Sequence, residues 1–190
     1  MIIDYYPPEG GWTTDDLEDL PDDGHRRELL DGVLLLPLPR NTWHQTFIAR
    51  LMVALGESCP PGLDATQGVE VRISRHRSFT PDGLVTTAEA NHRNPSFYSP
   101  NEVRLVVEVV SAGSESIDRI LKPALYAEAG IPYFWRIEIN DGVVVHVGKL
   151  DPVRGTYVEQ ARLTNGIRLS EPWEIDIPLD RLTRRNHGLT

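Results

Sequence analysis

The stretch Arg104-Leu105-Val106-Val107-Glu108-Val109-Val110 constrains the fold more than any other part of the sequence. Its residues are nearly all aliphatic and mostly β-branched, the composition of a central strand covered on both faces. Such a strand needs a layer above it and another below, so the chain folds as a sheet packed between other elements. The same stretch carries Glu108. An ionised carboxylate inside a buried strand is costly unless it is paired or holds a metal. Glu108 therefore either reaches solvent at the end of the strand or belongs to a site.

The flanking elements can be read in order. Thr13 or Thr14 caps a short acidic helix over Asp15 to Leu20, which Pro21 stops. A hairpin follows, with Arg26 to Leu30 and Val33 to Leu36 joined by Asp31-Gly32. Asn41 caps a long helix to about Glu57, in which Phe47, Ile48, Leu51, Met52 and Leu55 recur on one face. Val69, Val71 and Ile73 alternate with Glu70, Arg72 and Ser74 as a strand, and Phe79 to Thr86 reads as its hairpin partner. Asn91 to Asn101 is a loop rich in Pro and Asn. Ser114 caps a second long helix to Ala129, stopped by Gly130 and Pro132. Tyr133 to Ile139 and Val143 to Leu150 are strands around Asn140-Asp141-Gly142. Short edge strands and a closing segment, with Tyr157, Ile167 and Ile175, complete an α/β sandwich with a mixed sheet. The 190 residues make one domain, with an N-terminal extension over 1–12 and a tail over 183–190.

Hydrophobic residues at 40% and charged residues at 25% match globular usage and exclude a disordered tail, a fibre or a disulfide scaffold. Cys59 stands alone, so neither an internal disulfide nor a thiolate zinc cluster can form. The longest apolar run, Val33 to Leu38, contains Pro37 and is far short of a membrane span. Met1-Ile2-Ile3-Asp4 lacks the pattern of a signal peptide. A cytoplasmic protein with no membrane partner is the expectation. The net charge of −9 opposes non-specific adhesion to nucleic acid, which needs clustered Lys and Arg, but leaves a local patch or a metal as routes to DNA. There is no Gly-x-Ser-x-Gly elbow, no phosphate-cradling Gly-Lys-Ser/Thr loop and no dinucleotide glycine fingerprint.

Two more acids interrupt apolar surroundings. Asp82 follows Pro81 and precedes Gly83-Leu84-Val85, where a turn aspartate bonding the backbone is the simpler role. Glu28 lies in Arg26-Arg27-Glu28-Leu29-Leu30, where a solvent-facing strand position would explain it. Three carboxylates on separate elements of an α/β core also suit hard Mg²⁺ or Mn²⁺ if they converge. Convergence would raise at least one of their pKa values, and Asp82→Asn would then stabilise the metal-free chain. Lys122 follows on the second helix, where Pro123 bends the chain beside it; Asp118, four residues earlier, offers it an ordinary helix ion pair. His44 and Gln45 occupy the first turn of the long helix, and Tyr126 lies one turn after Lys122. Arg72, Arg75, His76 and Arg77 form a basic run on a hairpin turn, read as a solvated loop in preference to a phosphate contact.

The segments Arg27-Glu28-Leu29-Leu30-Asp31-Gly32, Pro81-Asp82-Gly83, Leu105-Val106-Val107-Glu108-Val109-Val110-Ser111 and Lys122-Pro123-Ala124-Leu125-Tyr126, continuing through Ala127-Glu128-Ala129-Gly130-Ile131-Pro132-Tyr133-Phe134-Trp135, resemble the Uma-two family of restriction endonucleases. The resemblance runs from about Trp12 to Leu182. It implies the PD-(D/E)XK, or restriction-endonuclease-like, fold: a mixed sheet flanked by helices, with additional antiparallel strands. It implies a Mg²⁺-dependent endonuclease, with Mn²⁺ as substitute, that hydrolyses DNA phosphodiesters. Asp82, Glu108 and Glu28 would be the metal-binding acids and, with Lys122, the catalytic set; His44 and Tyr126 would stand behind them. The superfamily pattern expects a lysine two residues after the second acid, but Val110 occupies that position, and Lys122 is the substitute the resemblance implies. Lys122→Ala would then suppress turnover and spare metal affinity. A non-catalytic interaction protein that retains the fold is the alternative, and a hydrolase of another phosphoester a third. Aromatic residues and strand edges over 133–147 suggest a homodimer.

Overall fold

The computed structural model describes residues 6–21, 23–111, 113 and 115–183. Helix α1 (Thr14–Asp19) starts at Thr13, whose side chain and that of Asp16 satisfy each other's backbone N–H groups. Strands β1 (Glu28–Leu30) and β2 (Val33–Leu35) form the expected hairpin. Asp31 and Gly32 both have positive φ, 50° and 79°, as a two-residue turn between right-twisted strands requires. Helix α2 (Thr42–Ser58) begins at Asn41, whose side chain accepts from the His44 N–H.

Strands β3 (Leu63–Thr66), β4 (Glu70–Ser74), β5 (Arg77–Phe79) and β6 (Gly83–Thr87) come next. β3 has no counterpart in the sequence reading, and the run from Phe79 to Thr86 divides into two strands. Pro81, which has no N–H to donate, lies at the break. The segment read as a loop holds helix α3 (Ala88–His92), the two-residue strand β7 (Phe97–Tyr98) and a 3₁₀ turn over Pro100–Glu102. Strand β8 (Val103–Val109) is the one announced by the sequence.

The second long helix is not continuous. A π-helical turn over Ile117–Leu121 passes into helix α4 (Lys122–Glu128), the Lys122 N–H bonding to the Ile117 carbonyl. Pro123 comes directly after, and its ring would clash with the preceding turn of a regular helix; the wider turn relieves that. Ser114, the expected cap, lies outside the described residues. Strands β9 (Tyr133–Glu138), β10 (Val144–Asp151), β11 (Thr156–Leu163), β12 (Gly166–Leu169) and β13 (Ile175–Pro178) and helix α5 (Leu179–Leu182) complete the chain.

The main sheet has the order β11-β10-β9-β8-β6-β3, with β8 and β9 parallel and the other neighbours antiparallel. A second sheet has the order β2-β1-β5-β4-β7, and β12 pairs with β13. Alternation along β8 sends Leu105, Val107 and Val109 into a core with Phe47, Ile48, Leu51 and Leu55 of α2. Val106 faces the other way, toward Leu125 and Tyr126 of α4 and Val71 and Phe79 of the second sheet. Glu108 shares the face of Val106, so the acid points into the layer between the two sheets. β9 and β10 are interior strands and Trp135 is fully buried, so 133–147 offers no free edge for a dimer. Among the described residues no helix is long and apolar enough to cross a membrane.

Candidate active site

The predicted residues arrive from five elements. Glu28 opens β1, and Asp82 immediately precedes β6. Glu108 is the penultimate residue of β8, His44 lies in the first turn of α2, and Lys122 and Tyr126 lie one turn apart on α4. All six are buried, with Glu108 and Tyr126 at 0% exposure. The solvent-facing roles open to Glu28 and Glu108 in the sequence are thereby excluded.

Lys122 Nζ sits 3.0 Å from Glu108 Oε1, 3.2 Å from Glu28 Oε1 and 3.7 Å from Asp118 Oδ1. Tyr126 Oη donates to Glu108 Oε1 at 2.8 Å. Glu28 Oε1 also accepts from the Thr80 N–H at 3.2 Å and from Arg26 Nη2 at 2.8 Å. Asp82 forms a second centre: its Oδ2 accepts from the Val109 N–H at 2.9 Å and lies 3.2 Å from His44 Nε2. Arg26 Nη1 and Arg40 Nε approach Asp82 Oδ1 at 3.4 and 3.5 Å. Arg26 thus links the two centres, touching Glu28 and Asp82 together. His44 Nε2 also faces the Val109 carbonyl at 3.2 Å; with acceptors on that side, Nε2 carries the proton.

Among the described residues, four carboxylates (Glu28, Asp82, Glu108 and Asp118) face three cations (Lys122, Arg26 and Arg40), so their full ionisation would leave one negative charge in excess within this set. Glu108 absorbs it. Burial, above all, pushes its pKa up to about 7; Lys122 pulls the other way, and Asp82, Asp118 and Glu28 add to the rise. Asp82 behaves oppositely. Burial would raise it, but the hydrogen bond with His44 and the charges of Arg40, His44 and Arg26 hold it well below the usual carboxylate range. The Lys122 ammonium loses solvation on burial, yet Glu108, Glu28 and Asp118 more than offset that loss and raise its pKa.

One carboxylate pKa is raised, that of Glu108, by burial first and by the neighbouring acids after it, and the expectation for Asp82→Asn reverses. Asparagine can satisfy neither the Arg26 and Arg40 charges nor the full set of donors around Oδ1 and Oδ2. Asp82→Asn is expected to lower the stability of the metal-free chain by about 1–3 kcal/mol. Urea denaturation in EDTA checks this, and a gain in stability would contradict the observed pairing.

The oxygen donors of Asp82, Glu108 and Glu28 suit a hard divalent cation. Glu108 Oε2 is buried without a hydrogen-bond partner, an atom such an ion would satisfy. In their present positions, among the described residues, no three His, Cys, Asp or Glu side chains are gathered to hold a metal ion. Lys122 and Arg26 stand between the carboxylates instead.

Three participants were missed or undervalued in the sequence. Asp118 is 1% exposed and faces Lys122 in the buried layer, whereas its spacing suggested only a surface pair. Arg26 and Arg40 flank the predicted acids without any motif to mark them. The basic run does not stand free: Arg72 pairs with Glu18 and Glu70, Arg75 with Asp15, and Arg77 with Asp31 and Glu128.

Residues 14–179 match the model of a family described as "Uma2: Putative restriction endonuclease". The chain belongs to the Uma2 family. Among solved structures, it is similar to one described as a "putative nuclease belonging to DUF820 from Anabaena variabilis", at 16% identity and a TM-score of 0.62. That match covers 90% of this chain and 96% of the other, and it bears out the mixed sheet flanked by helices for this Uma2 member. No curated protein matches the chain.

Proposed function

We propose that the chain is a cytoplasmic Mg²⁺-dependent endonuclease that hydrolyses DNA phosphodiesters. The observation that carries this reading is the Glu108 carboxylate, held at Oε1 by Lys122 and Tyr126 while Oε2 is buried without a partner. Asp82 and Glu108 would hold the metal, and Glu28 would bind it directly or through water. Bound there, a divalent ion polarises a phosphoryl oxygen and lowers the pKa of its water.

The remaining chemistry belongs to the chain. Glu108 has to give up its proton to become a ligand, so affinity for a cation rises with pH through about 7. Lys122, with its pKa raised, stays protonated; it offsets charge on the phosphate and orients the attacking water, and does not act as the base. His44 holds Asp82 through Nε2, and Tyr126 holds Glu108 through its hydroxyl. DNA as substrate is inferred from the family.

The second reading, an interaction protein that keeps the fold without turnover, is favoured by Lys122 and Arg26 lying between the acids. Melting with Mn²⁺ or Mg²⁺ separates the two. At 100 times its dissociation constant a bound ion stabilises the fold by about 2.7 kcal/mol. The upward shift is expected in the wild type and not in Asp82→Ala, and wild type alone should nick supercoiled plasmid. No shift in either protein, and intact plasmid, would establish the second reading. A homodimer would use the edge strand β2, whose Val33 is exposed together with Leu36 and Leu38 just after it, and sedimentation at micromolar concentration measures it.

A further inference from the structure

Beside Asp82, and lined by none of Glu28, Glu108, Asp118 or Lys122, a polar cavity of about 480 Å³ opens to solvent. Its wall carries Arg26, Arg27, Arg40 and His44, with Gln45 exposed at the rim. Against three guanidinium groups it sets one carboxylate, Asp82, among the described residues. In a chain of net charge −9, that concentration of cations is unusual, and the basic run over 72–77 is already consumed by surface acids.

Counter-ion duty explains only part of it. Arg26 serves Glu28 and Asp82, Arg27 serves Asp23, and Arg40 serves Asp82. Behind the wall, Arg26 Nε and His44 Nδ1 are buried with no hydrogen-bond partner. Guanidinium forks match the paired oxygens of a phosphate. The cavity has the size of a small-ligand site, and it shares Asp82 and Arg40 with the acidic centre.

We propose that this cavity is a phosphate subsite for the DNA strand, holding the phosphate next to the one presented to Glu108 and Lys122. The inference rests on the nuclease reading and deepens it, because it names the cationic contacts that let an acidic protein hold DNA. Arg27 lines the cavity and pairs with Asp23, and it carries the test.

The test is fluorescence anisotropy of a labelled short oligothymidine with the full chain in EDTA, over a series of salt concentrations. Arg27→Gln is expected to weaken binding about five- to tenfold at low salt and to reduce the salt slope by about 1. Gln45→Glu, an exposed change on a helix that does not threaten the fold, should weaken it in the same direction. Arg154→Gln, on the exposed turn between β10 and β11, should bind as wild type does. Inorganic phosphate should compete only weakly. Unchanged affinity and salt slope in both cavity variants would overturn the proposal, as would phosphate competing as well as the strand. Because the metal is chelated, these outcomes are separate from cleavage. A chain that cuts plasmid but ignores both substitutions would lose the subsite and keep the nuclease reading.

Discussion

Replacing Lys122 with methionine is expected to lower the unfolding free energy by about 3–5 kcal/mol at neutral pH, the cost of breaking a buried ion pair by removing one partner. The ammonium is 2% exposed and faces Glu28, Glu108 and Asp118. Methionine keeps most of the stem's packing, so the loss reports the charge and not a cavity. The double change Lys122→Met with Glu108→Gln should recover part of the loss, since it removes one of the acids left behind. Urea titration of the four proteins gives the coupling. A loss below about 1 kcal/mol would mean that the ammonium is solvated in solution, as for an exposed pair. Lys122→Ala, which looked from the sequence like a clean test of turnover, tests the fold before it tests the chemistry.

Glu108 should give the protein an inverted response to mild acid. Its pKa in the fold, about 7, stands above the ordinary value of 4.5, so the folded chain binds the extra proton between those limits. Stability from this group is complete below about pH 4.5 and is lost as pH rises through 7, by about 3 kcal/mol in total. Asp82 contributes with the opposite sign: its pKa is lowered, so its share is present above about pH 4 and fades only in stronger acid. Glu108→Gln, which cannot ionise, should flatten the curve between pH 4.5 and 7 and narrow its difference from wild type at the acid end. Melting temperatures across that window in EDTA measure it. Identical slopes in the two proteins would remove the buried charge excess from the account.

Much of this arrangement was legible because the relevant signals are local. The apolar alternation of β8, the Asn41 cap and the Asp31-Gly32 turn each act over a few residues. Glu108 announced itself by being a charge among valines. What escaped depends on distant partners. Asp118 is buried by its place in the layer between the sheets, which an i,i+4 spacing to Lys122 cannot reveal. The division of Phe79 to Thr86 into strands of two different sheets follows from where each strand pairs, and Pro81 was the one local hint. Arg26 and Arg40 carry no motif, since their importance comes from the acids they meet across the fold.

Glu28 belongs to the smaller sheet, whereas Asp82 and Glu108 are set by β6 and β8 of the larger one. The strands of the smaller sheet are two to five residues long, against eight for β10 and β11. Short ladders open at lower free energy than long ones. On heating, Glu28 is therefore expected to leave Lys122 and Arg26 while the six-stranded sheet is still intact.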